Sequence, residues 1–234
     1  TNSGSNTVSK ITPDGISTIL GTTGSNPIGI ALDAAGNVYT TNSGSNTVSK
    51  ITPDGISTIL GTTGFSPYGI ALDAAGNVYT ANINSNNVSK ITPDGTSTIL
   101  GTTGSNPFGL ALDTAGNVYT ANYGSNNVSK ITPDGTSSIL GTTGSKPPGI
   151  ALDAAGNVYT ANYGSNNVSK IAPDGTSSIL GTTGSFPAGI AIDAAGNVYT
   201  ANYDSNNVSK ITPASTVSYP ATGDTSPITI TGLT

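Results

Sequence analysis

Short runs rich in Ile, Val, Thr and Tyr alternate with turn residues along almost the whole chain. In residues 27–64 the runs are PIGIALD, NVYTTN, TVSKITP and ISTILGTTG, and the turns between them contain AAGN, SGSN and DG. Runs of this kind, bounded by Gly, Asn, Asp and Pro, are typical of β-strands. Gly or Pro interrupts every stretch that has the apolar spacing of a helix. The pattern therefore predicts four short antiparallel strands in this segment.

The whole four-run segment is repeated. The sequence SNTVSKITPDGISTILGTTG begins at residue 5 and is repeated from residue 45, and closely related sequences begin at residues 85, 125 and 165. A period of 40 residues with four antiparallel strands is typical of one blade of a β-propeller, whose two faces both pack against neighbouring blades. A β-helix is the alternative, although its coils are usually shorter. A helical solenoid is excluded because the runs of the repeat are typical of β-strands.

Residues 26–55, NPIGIALDAAGNVYTTNSGSNTVSKITPDG, resemble an NHL repeat, in which Pro-x-Gly-Ile-Ala leads to Asp, Gly-Asn and Tyr and ends in Asp-Gly. The resemblance covers nearly the whole chain and implies a six-bladed ring that often serves as a platform for protein interactions. The ITPDG turn and the GNVYT strand are also similar to virginiamycin B lyase relatives of that fold. This similarity implies an enzyme that uses histidine and acidic residues with a metal, and the chain contains no histidine.

The composition narrows the classes of function. The net charge is −5, and the chain has no Cys, Met, Trp, His, Glu or Arg, so phosphate-backbone binding and nucleophilic Ser-His or Cys-His chemistry are not expected. No apolar run approaches the ~20 residues of a membrane span, and no signal peptide opens the chain. A surface rich in Thr, Ser, Asn and Gly with few charges favours an extracellular protein. We expect no cofactor and no membrane insertion.

Three charged positions recur in the repeat. One Asp follows the innermost strand, where a ring of carboxylates is a candidate cation site or, as we favour, a set of turn caps. A second Asp belongs to a Pro-Asp-Gly turn, and a Lys lies on a solvated edge or pairs with a neighbouring Asp. These expectations predict no metal site. The positions are Asp33, Asp73, Asp113, Asp153 and Asp193; Asp14, Asp54, Asp94, Asp134 and Asp174; and Lys10, Lys50, Lys90, Lys130, Lys170 and Lys210.

The copies differ mainly in two loops, between the fourth and first strands and between the second and third strands. Antiparallel order sends both loops to the same face of a propeller, and the differences there include many aromatic residues. Two interpretations remain open: a contact surface for a protein or a carbohydrate, and drifted loop positions that fill gaps between blades. The candidate binding residues are Phe65, Tyr68, Phe108, Tyr123, Tyr163, Phe186 and Tyr203.

The last segment departs from the repeat. Aligned without gaps, residues 211–234 supply a fourth strand and then a first strand, while the N-terminus supplies a third and a fourth strand. Both termini therefore contribute to one closing blade, which makes six blades and lacks a second strand. The candidate closure or assembly residues are Ile228, Ile230, Leu233, Val8 and Ile11. The segment SPITITGLT closes the ring, pairs with another molecule, or resembles the start of a fibronectin type III module at residues 225–234.

Together these observations predict a single all-β domain over residues 1–234, a six-bladed propeller with a non-enzymatic role. We expect an extracellular or cell-surface structural or adhesive module that interacts with protein partners or with itself, with filament assembly through strand exchange as one form. A lectin-like propeller that uses the aromatic loops is the alternative, and a degenerate lyase-like enzyme is the weaker one.

Overall fold

The computed structural model describes residues 1–213, and its secondary structure in this range consists of 21 β-strands in six antiparallel sheets. Each sheet is one blade of a β-propeller, so the predicted all-β, six-bladed fold is confirmed. Within these residues no helix is long and apolar enough to cross a membrane.

The sheets follow one another along the chain. The first sheet has two described strands, four complete sheets follow, and the sixth has three described strands. The strands are β1 (Thr7–Ile11) and β2 (Ser17–Thr22); β3 (Pro27–Leu32), β4 (Val38–Asn42), β5 (Thr47–Ile51) and β6 (Ser57–Thr62); β7 (Pro67–Leu72), β8 (Val78–Asn82), β9 (Asn87–Ile91) and β10 (Ser97–Thr102); β11 (Pro107–Leu112), β12 (Val118–Asn122), β13 (Asn127–Ile131) and β14 (Ser137–Thr142); β15 (Gly149–Leu152), β16 (Val158–Asn162), β17 (Asn167–Ile171) and β18 (Ser177–Thr182); β19 (Pro187–Ile192), β20 (Val198–Asn202) and β21 (Asn207–Ile211).

The first strand of each of the last five sheets is the innermost one. Strands β3, β7, β11, β15 and β19 contact one another in turn, whereas the fourth strand of one sheet contacts the third strand of the next. The inner strands approach so closely that a Cβ atom added to Gly109 would lie 2.6 Å from the carbonyl oxygen of Pro148. Glycine at this point therefore permits the inner strands to pack around a common axis.

The hydrophobic core lies between neighbouring sheets. One typical cluster combines Tyr79 and Val88 from the third sheet with Val118 and Ile131 from the fourth. Leu110 from the fourth sheet packs against this cluster and is partly buried. Apolar residues are needed on both faces of a blade because each face packs against a different neighbour.

A buried polar network links strands within each blade. In the fourth sheet the Asn122 amide donates to Asn127 Oδ1 at 2.7 Å and to Ser129 Oγ at 2.8 Å, and Asn122 Oδ1 accepts from Thr120 Oγ1 at 2.9 Å. Ser129 Oγ also accepts from the Gly104 amide, which joins this blade to the preceding one. All buried side-chain polar atoms in the described part of the chain have hydrogen-bond partners. The network fixes the loop ends at which the variable residues lie.

The N-terminal sheet shows how burial depends on the neighbouring blade. Val8 packs against Val38 and Ile51 of the second sheet, whereas Ile11 has 70% of its surface exposed. Ile51, at the same repeat position as Ile11, is fully buried. The proposed closure residues Ile228, Ile230 and Leu233, and the segment 225–234 considered as a separate module, lie outside the described residues.

Candidate interaction surface

The structure places the two variable loops of each blade together on one face. The Tyr123 amide donates to the carbonyl oxygen of Asn106 at 2.9 Å, and the Tyr203 amide donates to that of Phe186 at 3.0 Å. These bonds join the loop between the second and third strands to the loop before the first strand. Tyr68 and Phe108, expected in the loop before the first strand, lie instead at the starts of β7 and β11, directly beside that loop. We call the surface formed by these two residues and the variable residues of both loops the aromatic face. Its members are Phe65, Tyr68, Phe108, Tyr123, Tyr163, Phe186 and Tyr203.

Three aromatic rings form a continuous row across two blades. The Tyr68 and Phe108 ring centroids are 4.7 Å apart, and those of Phe108 and Tyr123 are 4.8 Å apart. The planes are tilted by 46° and 31°, and both centroid distances lie within the range of about 4.5–7 Å that is usual for aromatic pairs. The Lys146 Nζ atom lies 6.0 Å from the Tyr123 ring centroid and ends the row with a positive charge. We call these four residues the aromatic row.

A second pair lies at the next blade junction. The Tyr163 and Phe186 rings are stacked, with centroids 4.4 Å apart and planes inclined by 11°. Phe65 and Tyr203 belong to the same face but have 68% and 76% of their surfaces exposed. The aromatic face thus combines packed pairs with two largely solvent-exposed rings.

Two of the contacts between blades, Tyr123 with Lys146 and Tyr163 with Phe186, follow one rule that sequence reasoning missed. The loop between the second and third strands of one blade carries Tyr123 or Tyr163. The partner is the residue before the proline at or just ahead of the first strand of the next blade, Lys146 or Phe186. This second position adopts a left-handed backbone in every described copy. Its φ values are 55° at Asn26, 56° at Ser66, 52° at Asn106, 55° at Lys146 and 57° at Phe186. We call it the junction position.

Lys and Phe at the junction position raise the conformational energy of the folded backbone. Asn tolerates the left-handed conformation better than most residues, whereas longer or bulkier side chains are strained there. The structure nevertheless holds the backbone in place, because the Asn126 and Asn166 side chains accept from the amides of Lys146 and Phe186 at 2.7 Å and 2.9 Å. Strained residues that persist in an over-determined backbone often mark functional sites. Here both strained side chains contact a tyrosine of the preceding blade.

The opposite face carries the repeated aspartates, and their carboxylates are used by their own turns. Asp153 Oδ1 accepts from the amides of Ala155 and Asn157, while Oδ2 accepts from the Asn157 side chain at 2.8 Å and from Tyr159 Oη at 2.9 Å. Burial opposes ionisation of Asp153, but these bonds outweigh it and hold the pKa of the carboxyl below its usual value. Burial and the same bond raise the pKa of Tyr159 to about 12. The turn-cap interpretation therefore describes this aspartate position.

The other two repeated charges also have local partners. Asp134 accepts from the Thr132 hydroxyl within its Pro-Asp-Gly turn. The Lys130 Nζ atom lies 5.7 Å from the centre of the Tyr119 ring, so the repeated lysine makes a cation–π contact on the paired strand. Across residues 1–213 no group of three or more His, Cys, Asp or Glu side chains could hold a metal ion.

The fold and this surface define the chain as a repeat β-propeller with one variable, aromatic face. The model of the Virginiamycin B lyase family matches residues 1–123 and 58–232, so the chain belongs to that family. The comparison with curated proteins finds no significant sequence match. The resemblance of residues 26–55 to an NHL repeat stays a prediction.

Solved structures share the fold at low sequence identity. A streptogramin B lyase has a TM-score of 0.74 and 17% identity, with 92% of this chain and 78% of that chain covered. Virginiamycin B lyase from Staphylococcus aureus has a TM-score of 0.74 and 19% identity, with 91% and 79% covered. A nidogen/laminin complex matches with a TM-score of 0.69 and 20% identity, covering 89% and 91%. These likenesses show a β-propeller of repeated blades.

Proposed function

We propose that this protein is a non-enzymatic interaction module that binds a protein partner with its aromatic face. The observation that carries the proposal is the aromatic row, in which Tyr68 of β7, Phe108 of β11 and Tyr123 of the β12–β13 loop pack side by side on an otherwise repetitive scaffold. Rigid aromatic side chains supply large contact area at a small cost in conformational entropy. The strained residues at the junction position support a role beyond the filling of gaps.

The comparison with the nidogen/laminin complex supports a protein partner. In that complex a propeller of the same fold is solved with a protein bound. The present chain shares 20% identity with it, so the likeness itself extends to the fold. The aromatic face of this chain supplies the chemical argument for binding.

The lack of histidine supports a non-enzymatic role within a family named for a lyase. A catalytically inactive virginiamycin B lyase variant, solved with quinupristin, carries alanine in place of a histidine. The present chain has no histidine to serve as a general base. We expect no product when the protein is incubated with quinupristin and the mixture is followed by mass spectrometry. Enzyme-dependent conversion of quinupristin would contradict the non-enzymatic part of the proposal.

We further propose an extracellular or cell-surface location and an adhesive or structural role. The low content of charged residues and the abundance of Thr, Ser, Asn and Gly support this location. The form of self-association that we propose is assembly into filaments by exchange of strands between molecules. It is supported by the first sheet, in which β1 pairs with β2 alone among the described strands, so that its other edge is available to a further strand. Ordered polymers in electron micrographs would support filaments, and a monodisperse monomer at high concentration would contradict them.

Peptide display tests the binding proposal. A random peptide library is selected on the wild-type protein and on the triple variant Phe108→Ile, Tyr123→Ser, Phe186→Asn, which uses residues found at these repeat positions in the first complete blade. We expect selected peptides to bind the wild-type protein at least about tenfold more tightly than the triple variant, since aromatic anchors dominate such contacts. A control variant, Ile139→Thr, changes an exposed residue of β14, which lies outside the aromatic face, and should bind normally. No enrichment, or equal binding to the triple variant, would contradict the proposal.

Carbohydrate binding is the second candidate. It is favoured by Phe65 and Tyr203, whose largely exposed rings are available to stack on sugar rings. A glycan array probed with the wild-type protein and with Tyr203→Ser separates the two candidates. Glycan binding that depends on Tyr203, without peptide selection, would favour the lectin-like function.

A further inference from the structure

Lys146 differs from the other lysines of the chain. Six lysines occupy one repeated position in the third strand of each blade, as Lys130 does beside Tyr119. Lys146 is the seventh and lies instead at a junction position on the aromatic face. Asn or Ser occupies this position in the second, third and fourth blades, and Phe186 occupies it in the sixth.

The setting of Lys146 fixes its backbone and leaves its side chain exposed. Its amide donates to Asn126 Oδ1 at 2.7 Å, and its carbonyl oxygen accepts from the Tyr163 amide at 3.1 Å. The side chain then crosses toward the preceding blade, where Nζ lies 6.0 Å from the Tyr123 ring centroid. The ammonium group thus lies at the Tyr123 end of the aromatic row, whose other rings are Phe108 and Tyr68.

The negative charges of the described residues are concentrated elsewhere. The repeated aspartates belong to the turns between the first and second strands and between the third and fourth strands, which lie on the opposite face. Asp204, in the loop between β20 and β21, is on the aromatic face but belongs to the sixth sheet, two blades from the Tyr123 loop. A cation beside an apolar row favours a partner that presents an anion beside an apolar side chain.

We propose that the partner segment is an acidic peptide, and that Lys146 determines this specificity. The inference rests on the proposed protein-binding function. An apolar side chain of the segment packs on Tyr68, Phe108 and Tyr123, and an Asp or Glu carboxylate accepts from the Lys146 ammonium group. The cation–π contact with Tyr123 holds the ammonium near the row while its remaining donors face the partner.

The test repeats the peptide selection on three proteins: wild type, Lys146→Gln and Lys170→Gln. Lys170 is the matched control, because it lies at the repeated third-strand position beside Tyr159 and away from the aromatic face. We expect peptides selected on wild type to be enriched in Asp or Glu at a fixed distance from an apolar residue. The enrichment should persist with Lys170→Gln and disappear with Lys146→Gln.

Affinities measured on one selected peptide and its Glu→Gln counterpart complete the test. We expect the acidic peptide to bind wild type about fivefold more tightly than its neutral counterpart, with the preference reduced by added salt and absent in Lys146→Gln. Selected peptides without acidic enrichment, or an acidic preference that survives Lys146→Gln, would overturn the inference and leave the proposed function standing. Failure to select any peptide on wild type would overturn both.

Discussion

The junction position offers a test that separates a binding role from a packing role. Phe186 has φ 57°, whereas Asn106 occupies the same repeat position with φ 52°. Phe186→Asn therefore installs a residue that the scaffold already accepts in this conformation. The substitution removes the ring whose centroid stacks 4.4 Å from that of Tyr163, and it keeps the residue 186 amide that donates to Asn166 Oδ1.

The expected loss of stability is small because the lost contacts of the ring are partly offset by relief of backbone strain. Removing the stack costs about 0.5–1.5 kcal/mol, and re-exposing the buried part of a ring that is already 36% exposed costs about 1–2 kcal/mol. Relief of the left-handed backbone returns about 1–2 kcal/mol, since Asn visits this region readily. We therefore expect the free energy of unfolding to fall by about 1 kcal/mol. A well-packed core Phe replaced by Ala loses about 3–5 kcal/mol.

Urea unfolding followed by circular dichroism measures this difference, and peptide affinity measures the effect on binding. We expect Phe186→Asn to weaken binding by about tenfold or more while stability changes little. Asn106→Phe is the reverse control and should destabilise the protein by about 1–2 kcal/mol through backbone strain. A loss above about 3 kcal/mol for Phe186→Asn with unchanged binding would show that Phe186 fills a gap between blades, and the functional reasoning would then be wrong.

Three further predictions concern the scaffold. Ile131→Ala, at a fully buried position, should lower the free energy of unfolding by about 2–5 kcal/mol, whereas Ile139→Ala, at a 54% exposed position, should change it by less than about 0.5 kcal/mol; equal losses in urea unfolding would contradict a core between the blades. The Asn37 side chain is the main cause that holds the pKa of Asp33 below its ordinary 3.8, so this stabilisation is present above that pH and is lost as pH falls through the lowered value. Thermal melts at decreasing pH should show a loss that Asp33→Asn reduces, and identical acid profiles would contradict it. Burial and a bonded aspartate raise the pKa of Tyr79 to about 12, so the stabilisation is present below pH 10 and lost as pH rises through 12; a Tyr79→Phe difference spectrum of tyrosinate absorbance that titrates near pH 10 would refute this.

The repeat made most of the fold predictable. The Asp-Gly turn, the proline that opens the first strand and the 40-residue period predict strands whose observed bounds differ little from the sequence runs. The structure adds a bulge at Leu100 in the fourth strand, because Ile99 and Gly101 pair with consecutive residues of β9. A bulge of this kind depends on pairing between strands and leaves little signal in the pattern of a single strand.

The candidate surface was only partly predictable, because it depends on how one blade is placed against the next. Antiparallel order predicted that the loops of Tyr163 and Phe186 share a face. It did not predict that the two rings stack across a blade junction, since this contact needs the rotation between blades. Burial shows the same limit: Ile11 and Ile51 have the same local sequence, but a neighbouring blade buries only Ile51.

The junction position also separates two demands on the same duplicated unit. Its backbone φ stays between 52° and 57° whether the residue is Asn, Ser, Lys or Phe, because hydrogen bonds from fixed neighbours set the conformation. A newly duplicated blade therefore keeps the same backbone conformation at the junction position, while the exposed side chain at that position can vary. Single substitutions at this position can therefore change the exposed surface of each blade without altering the backbone that the blade adopts.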